Sequence, residues 1–198
     1  ASEELVEAMA HAGMLGLFGA AGLPPPRVEA AILRLRERLR PRPWGVNLIH
    51  SPSDPALEAA HAELLLRHGV RLASASAYLD LTEHVVRYRV HGIHLAPDGS
   101  VVAPNRLVAK VSRAEVARKF LAPPPEKFLR ALVERGAITE EQARLAERIP
   151  MAEDVTAEAD SGGHTDNRPL VVILPAIQAV RDELHAKHRY AVRPRVGA

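Results

Sequence analysis

Helix-like and strand-like segments alternate along this chain with short links, which restricts it to a parallel sheet with helices packed outside it. Residues 2–12 read as a helix stopped by Gly13. Met14–Phe18, an apolar run bounded by glycines, reads as the first strand. Val28, Ile32, Leu35 and Leu39 fall on one helical face, and Trp44–Ile49 reads as a second strand. Asp54 followed by Pro55 has the form of an N-cap and first helical residue, with Gly69 as the stop. Arg71–Ala77 is then a third strand, and Thr82 caps a helix running to about Val90. Pro97-Asp98-Gly99 is a turn between short extended pieces, and Arg106–Val111 is a fourth strand.

Ser112 and Glu115 have capping-box spacing and predict the next helix. Residues 123–149 differ in character and read as a helical hairpin inserted between strands, with Thr139 and Gln142 as a second capping box. Val155–Ala159 is a fifth strand, Pro175–Arg189 a helix, and Tyr190–Ala198 the start of a sixth strand. A doubly wound sheet and a (β/α)8 barrel both fit this alternation. A complete barrel takes about 250 residues. The chain opens in mid-helix and closes at a strand end, so it is expected to be one partial barrel domain over 1–198, incomplete at both ends.

Composition narrows the function classes. Cysteine is absent, which excludes disulfides, thiolate metal sites and a cysteine nucleophile. Aromatic residues make up 4% and the formal net charge is +2, so neither a base-stacking platform nor a basic stripe is present, and no nucleic-acid partner is expected. No apolar run approaches the roughly 20 residues that cross a bilayer, so no membrane segment is expected and a cytoplasmic location is the default. Metal-ligand spacing is missing as well.

The densest polar segment, Asp154 to Arg168, follows a strand and so falls at a strand's C-terminal end, where barrels and open α/β sheets place ligands. Gly162 and Gly163 allow close backbone approach to a flat or anionic ligand, and His164 offers an imidazole as acid, base or donor. Lys110 lies in the apolar strand Leu107–Val111, where an ammonium suits a phosphate or an electron-rich ring. Asn47 is polar within another apolar strand and serves either a ligand or a core hydrogen bond. The arginines of 34–40 read as the solvated face of their helix, and the remaining histidines carry no catalytic pattern.

The string Ala152-Glu153-Asp154-Val155-Thr156-Ala157-Glu158-Ala159-Asp160-Ser161-Gly162-Gly163-His164-Thr165-Asp166-Asn167-Arg168-Pro169-Leu170 resembles the signature of PfaD-type enoyl reductases, which act in trans in polyunsaturated fatty acid and polyketide synthases. Gly13–Gly16, Pro43–Pro52, Ser74–Asp80 and Ala109–Ser112 extend the resemblance over essentially the whole chain. The wider superfamily includes nitronate monooxygenases and consists of FMN-binding TIM barrels. The resemblance therefore implies a barrel, FMN as cofactor, NADPH as hydride donor and an enoyl thioester on an acyl carrier protein as substrate. It places Asn47, Lys110, Gly162, Gly163 and the start of a phosphate loop at Gly197 against FMN, and His164 toward substrate. By the same resemblance, Asp160, Ser161, Asp166, Asn167 and Arg168 are expected to form the substrate loop. Synthase components are the implied partners. A nitronate monooxygenase is the alternative enzyme, and an inactive fragment or docking module is the non-enzymatic one. An open barrel exposes strand edges, which also favours a homo-oligomer.

Overall fold

The computed structural model describes residues 1–159 and 169–198. Helix α1 (Glu3–His11) is capped by the Ser2 hydroxyl and ends before Gly13, whose φ of 75° suits the turn. Then follow β1 (Gly16–Phe18), α2 (Pro25–Arg38), β2 (Trp44–Ile49), α3 (Pro55–Arg67), β3 (Leu72–Ser76) and α4 (Glu83–Val90). The Pro97-Asp98-Gly99 turn lies in a small antiparallel hairpin of β4 (His94–Leu95) and β5 (Val101–Val102). The chain continues through β6 (Arg106–Val111), α5 (Ala114–Leu121), α6 (Glu126–Glu134), α7 (Glu140–Ala146), β7 (Asp154–Ala157), α8 (Leu170–His188) and β8 (Arg195–Gly197).

The six long-range strands pair in parallel in the order β1-β2-β3-β6-β7-β8. That order follows the chain without reversal. A doubly wound sheet needs a point where strand order turns back. A sheet laid down in one direction keeps all its right-handed crossovers on one face and curls toward closure. The molecule is therefore an arc of a (β/α)8-type barrel, as the resemblance implies.

Strand alternation then assigns every side chain to a face. Val46, Leu48, Ala73, Ala75, Leu107, Ala109, Val155 and Ala157 join the apolar core under the helices. Asn47, Ser74, Val108 and Asp154 stand on the opposite, concave face in adjacent registers. The insertion is anchored where it leaves: Met151 N–H donates to Ala122 O at 2.9 Å and Ala152 N–H to Phe120 O at 2.8 Å. Both predicted helices of the hairpin form, and the Thr139–Gln142 capping box is complete.

Three details depart from expectation. Helix α5 is capped at Arg113, one residue later than the capping-box reading, without a side-chain cap bond. Helix α8 starts at Leu170 and runs through Pro175. Pro175 lies in the second turn and gives up the backbone bond to the Val171 carbonyl, a cost that the long helix carries. Finally, Arg34 and Arg38 reach back to Glu3 at 3.4 Å and Glu7 at 3.0 Å, so part of the expected solvated face ties α2 to α1.

At the N-terminal end of the sheet, Arg89 is 1% exposed and joins three segments. It donates to Asn105 O at 2.6 Å and Pro150 O at 3.1 Å, and pairs with Glu153 at 2.7 Å. Glu153 in turn accepts from the Leu107 N–H at 3.1 Å. Removing the guanidinium leaves the buried Asn105 and Pro150 carbonyls without their donor, which costs about 1–3 kcal/mol. Arg89→Ala is expected to lower unfolding stability by that amount in urea titration. A loss below about 1 kcal/mol, the range of an exposed pair, would contradict the arrangement.

His61 is buried and its Nε2–H donates to Leu23 O at 3.0 Å. Burial disfavours its imidazolium and lowers its pKa below the ordinary value of 6.5. As pH falls below about 6.5 the unfolded chain takes up this proton first, so stability present at neutral pH declines. The denaturant midpoint is expected to drop between pH 7 and pH 5, and to drop less in His61→Gln. An equal drop in both proteins would remove His61 as a cause.

Candidate functional site

The C-terminal ends of the strands carry the polar side chains that the helices do not use. Asn47 on β2 lies beside Ser74 of β3, and Ser76 lies beside Ile49. On β6 and β7, Lys110 pairs in register with Thr156, and Thr156 with Gly197 of β8. Asn47, Ser76, Lys110, Thr156 and Gly197 therefore share the concave face, drawn there by the same alternation that buries their neighbours under helices.

Three of these carry buried polar atoms that find no hydrogen-bond partner among the described residues: Asn47 Oδ1, Ser76 Oγ and Thr156 Oγ1. Buried polar groups are nearly always paired, and an unpaired one costs about 1–3 kcal/mol. Two other such atoms, Arg87 Nε and His185 Nδ1, belong to helices. The clustering of the remaining three on one inner face marks a place built for a partner outside the described residues. An amide oxygen there suits a ring N–H, and two hydroxyls suit carbonyl or phosphate oxygens. The set fits a flat heterocycle with polar edges such as FMN.

Lys110 is 41% exposed and its Nζ lies 2.6 Å from Glu158 Oε1. Lys110 is thus ion-paired and partly exposed on the concave face. Gly197 has open space where a Cβ would stand. Asp160, Ser161, Gly162, Gly163, His164, Asp166, Asn167 and Arg168 lie outside the described residues.

A second cluster at this end escaped the sequence reading. Glu58, in the first turn of α3, is 2% exposed. Its Oε2 lies 2.9 Å from His50 Nδ1, and its Oε1 accepts from Tyr78 OH at 3.0 Å and from the Thr82 hydroxyl. Burial, followed by the negative Glu58, holds the Tyr78 phenol well above its usual pKa, so Tyr78 stays a donor. No periodicity marks these four residues. The available signal was that His50 directly follows a strand and Glu58 sits on the buried side of the next helix. Among the described residues, no group of three or more His, Asp or Glu side chains could hold a metal ion, and no helix is long and apolar enough to cross a membrane.

An unpartnered buried hydroxyl destabilises the protein that carries it. Thr156→Val, which keeps the shape and removes the hydroxyl, is expected to raise the ligand-free unfolding free energy by about 1 kcal/mol. A lower midpoint in denaturant titration would show that the hydroxyl is already satisfied.

No family model matches the chain. It is 49% identical over 200 residues to a component of the polyunsaturated fatty acid synthase of Thraustochytrium sp., in a match that covers the whole chain and 13% of that protein. It is 43% identical over 199 residues to the polyketide biosynthesis protein PksE of Bacillus subtilis, again over the whole chain and 26% of the relative. The chain thus spans about a quarter or less of the length of these relatives. Among solved structures, the enoyl reductase domain of MlnA, from the macrolactin biosynthesis cluster of Bacillus amyloliquefaciens, superposes with a TM-score of 0.93 at 37% identity. That match covers all of this chain and 45% of the other. The resemblance read from the signature string holds in sequence and in fold.

Proposed function

We propose that this chain, homologous along its whole length to segments of polyunsaturated fatty acid and polyketide synthase proteins, is part of an FMN-dependent enoyl reductase. The reaction is reduction of the α,β-double bond of a carrier-protein-bound enoyl thioester with NADPH. The observation that carries this reading is the trio of unpartnered buried atoms, Asn47 Oδ1, Ser76 Oγ and Thr156 Oγ1, on the concave face at the strand ends. The 0.93 superposition on an enoyl reductase domain supports the substrate class. Synthase components are the natural partners of such a chain, since the relatives carry synthase and polyketide names.

FMN, when bound, supplies hydride transfer between NADPH and the β-carbon of the substrate. The chain's own residues orient and hold. Asn47 accepts from a ring N–H, while Ser76 and Thr156 donate to ring or phosphate oxygens, which removes the cost of leaving those groups unpaired. Lys110, held by Glu158, supplies positive charge at the rim of the same face. Gly162, Gly163 and Gly197 let backbone approach the cofactor without a Cβ in the way. His164 polarises the thioester carbonyl or supplies the proton taken up at the α-carbon. The loop residues Asp160, Ser161, Asp166, Asn167 and Arg168 contact the substrate around it.

The test is the visible spectrum of the protein with added FMN, before and after anaerobic NADPH, followed by turnover of an enoyl thioester. A bound-flavin spectrum that bleaches with NADPH is expected, with weaker FMN binding in Thr156→Val. His164→Ala should slow enoyl reduction by about 10²-fold. Full activity in His164→Ala would sink its acid–base role. Turnover of alkyl nitronates with O2, in place of enoyl thioesters, would replace the reductase reading with a monooxygenase one.

A further inference from the structure

We propose that the arginine-rimmed cavity at the N-terminal end of the sheet is a docking surface for an acidic segment of a partner protein, one in which carboxylates flank an apolar side chain. Only the source of that segment, a synthase component, rests on the function proposed above.

The cavity has a volume of about 710 Å³ and lies between the β4–β5 hairpin, the end of the helical insertion and the loop from α8 to β8. Arg106 and Arg195 open β6 and β8, so it stands at the strand ends opposite the candidate site. Six arginines line it against two carboxylates, Glu147 and Glu153. Arg89 gives its donors to Glu153 and two backbone carbonyls. Arg106 and Arg195 share Asp154, at 3.4 Å and 2.7 Å. Two guanidiniums carry more N–H donors than one carboxylate accepts, so both keep donors to offer. Arg193 likewise shares Asp182 with Arg181. Arg148 and Arg189 are exposed and, like Glu147, form no ion pair among the described residues. The surplus at the cavity is therefore positive, and its open donors suit carboxylates.

The loop that carries much of this charge is anchored. Tyr190 OH donates to Leu121 O at 2.9 Å, and the Arg195 N–H donates to Glu153 O at 2.8 Å. His188 stacks on the Tyr190 ring, with centroids 5.5 Å apart. Arg189 itself ends α8 at φ 52°, where glycine is the usual residue. A long side chain kept at that conformational cost points to a use for it. Apolar side chains accompany the charges. Val192, between Arg189 and Arg193, is 78% exposed, and Leu95, paired with Val101 of the cavity wall, is 44% exposed. A small polyanion would use the arginines and leave those side chains in water. A protein segment with carboxylates around an apolar residue covers both, and arginine is enriched where proteins meet. A partner seated here leaves the opposite strand ends open to substrate.

The probe is a fluorescein-labelled Glu-Glu-Leu-Leu-Glu-Glu peptide, titrated with the protein at low salt and followed by fluorescence anisotropy. Binding at a single site is expected, weakening about tenfold when roughly 0.2 M salt is added. The double variant Arg148→Glu with Arg189→Glu should weaken it by about tenfold or more. Arg36→Glu with Arg40→Glu makes the same change of charge at residues that do not line the cavity, and should leave binding within about twofold. Control peptides with Gln for Glu, or with Ser for Leu, should each bind more weakly by about threefold or more. Equal weakening in the two double variants would reduce the effect to net charge and overturn the proposal. Absence of probe binding, or equal binding of either control peptide, would overturn it as well. Citrate that competes more tightly than the peptide would assign the cavity to a small anion instead. Peptide binding in a protein that reduces no enoyl thioester would refute the reductase reading and leave the docking surface standing.

Discussion

The structure depends on the two-residue period of its parallel strands. Each strand presents small or branched apolar side chains to the helices, as in Ala73 and Ala75 of β3 or Val155 and Ala157 of β7, all within the core. A slip of one residue would turn Ser74, Lys110 and Thr156 under helices and expose the alanines. That cost fixes the register. The helix-facing positions are small because helices lie close against them, while the inner positions escape that restriction. Polar chemistry therefore collects on the concave face as a by-product of how the convex one packs.

Glu58 shows a different kind of constraint, in which one side chain coordinates several elements. It lies in the first turn of α3, where a helix dipole favours negative charge. Thr82 meets it from the N-cap of α4, donating to Glu58 while accepting from the Val85 N–H at 3.3 Å. One hydroxyl thus caps a helix and anchors a buried carboxylate. The loops after β2 and β3 are joined through the same carboxylate. Those loops belong to the end of a barrel where ligands bind, and rigid loops hold ligand geometry better than free ones.

Much of the fold was legible because it rests on local rules. Asp54 and Pro55 start α3, Thr82 starts α4 and Thr139 starts α7, each through a side-chain bond confined to a single turn. Strands β2 and β6 fall where their apolar runs predict. The start of α8 was obscured because Leu170–Leu174 is apolar on every side and Pro175 reads as a boundary. Asn47 and Lys110 stood out as polar residues within apolar strands, and both lie on the concave face. Lys110's partner was not visible, since Glu158 lies beyond the next strand and meets it only after parallel pairing. His50 and Tyr78 were missed for the same reason: they are far apart in the chain, and only the adjacency of β2 and β3 stacks their rings.

The two ends of the sheet treat polar groups in opposite ways. At the N-terminal end, Arg89, Glu153 and Asn105 satisfy one another and the backbone around them. At the C-terminal end, Asn47, Ser76 and Thr156 hold buried atoms that have no partner among the described residues. Folding alone does not explain that asymmetry, since Val or Ala at the same inner positions would avoid the cost. The Arg89 network ties segments together at one end, while the inner positions at the other leave polar groups open to a ligand, which separates stability from binding along the strand axis. This matches the division of labour expected of parallel α/β barrels, in which the N-terminal face stabilises and the C-terminal face acts. The open groups are therefore best understood through what they bind, and the closed ones through what they hold in place.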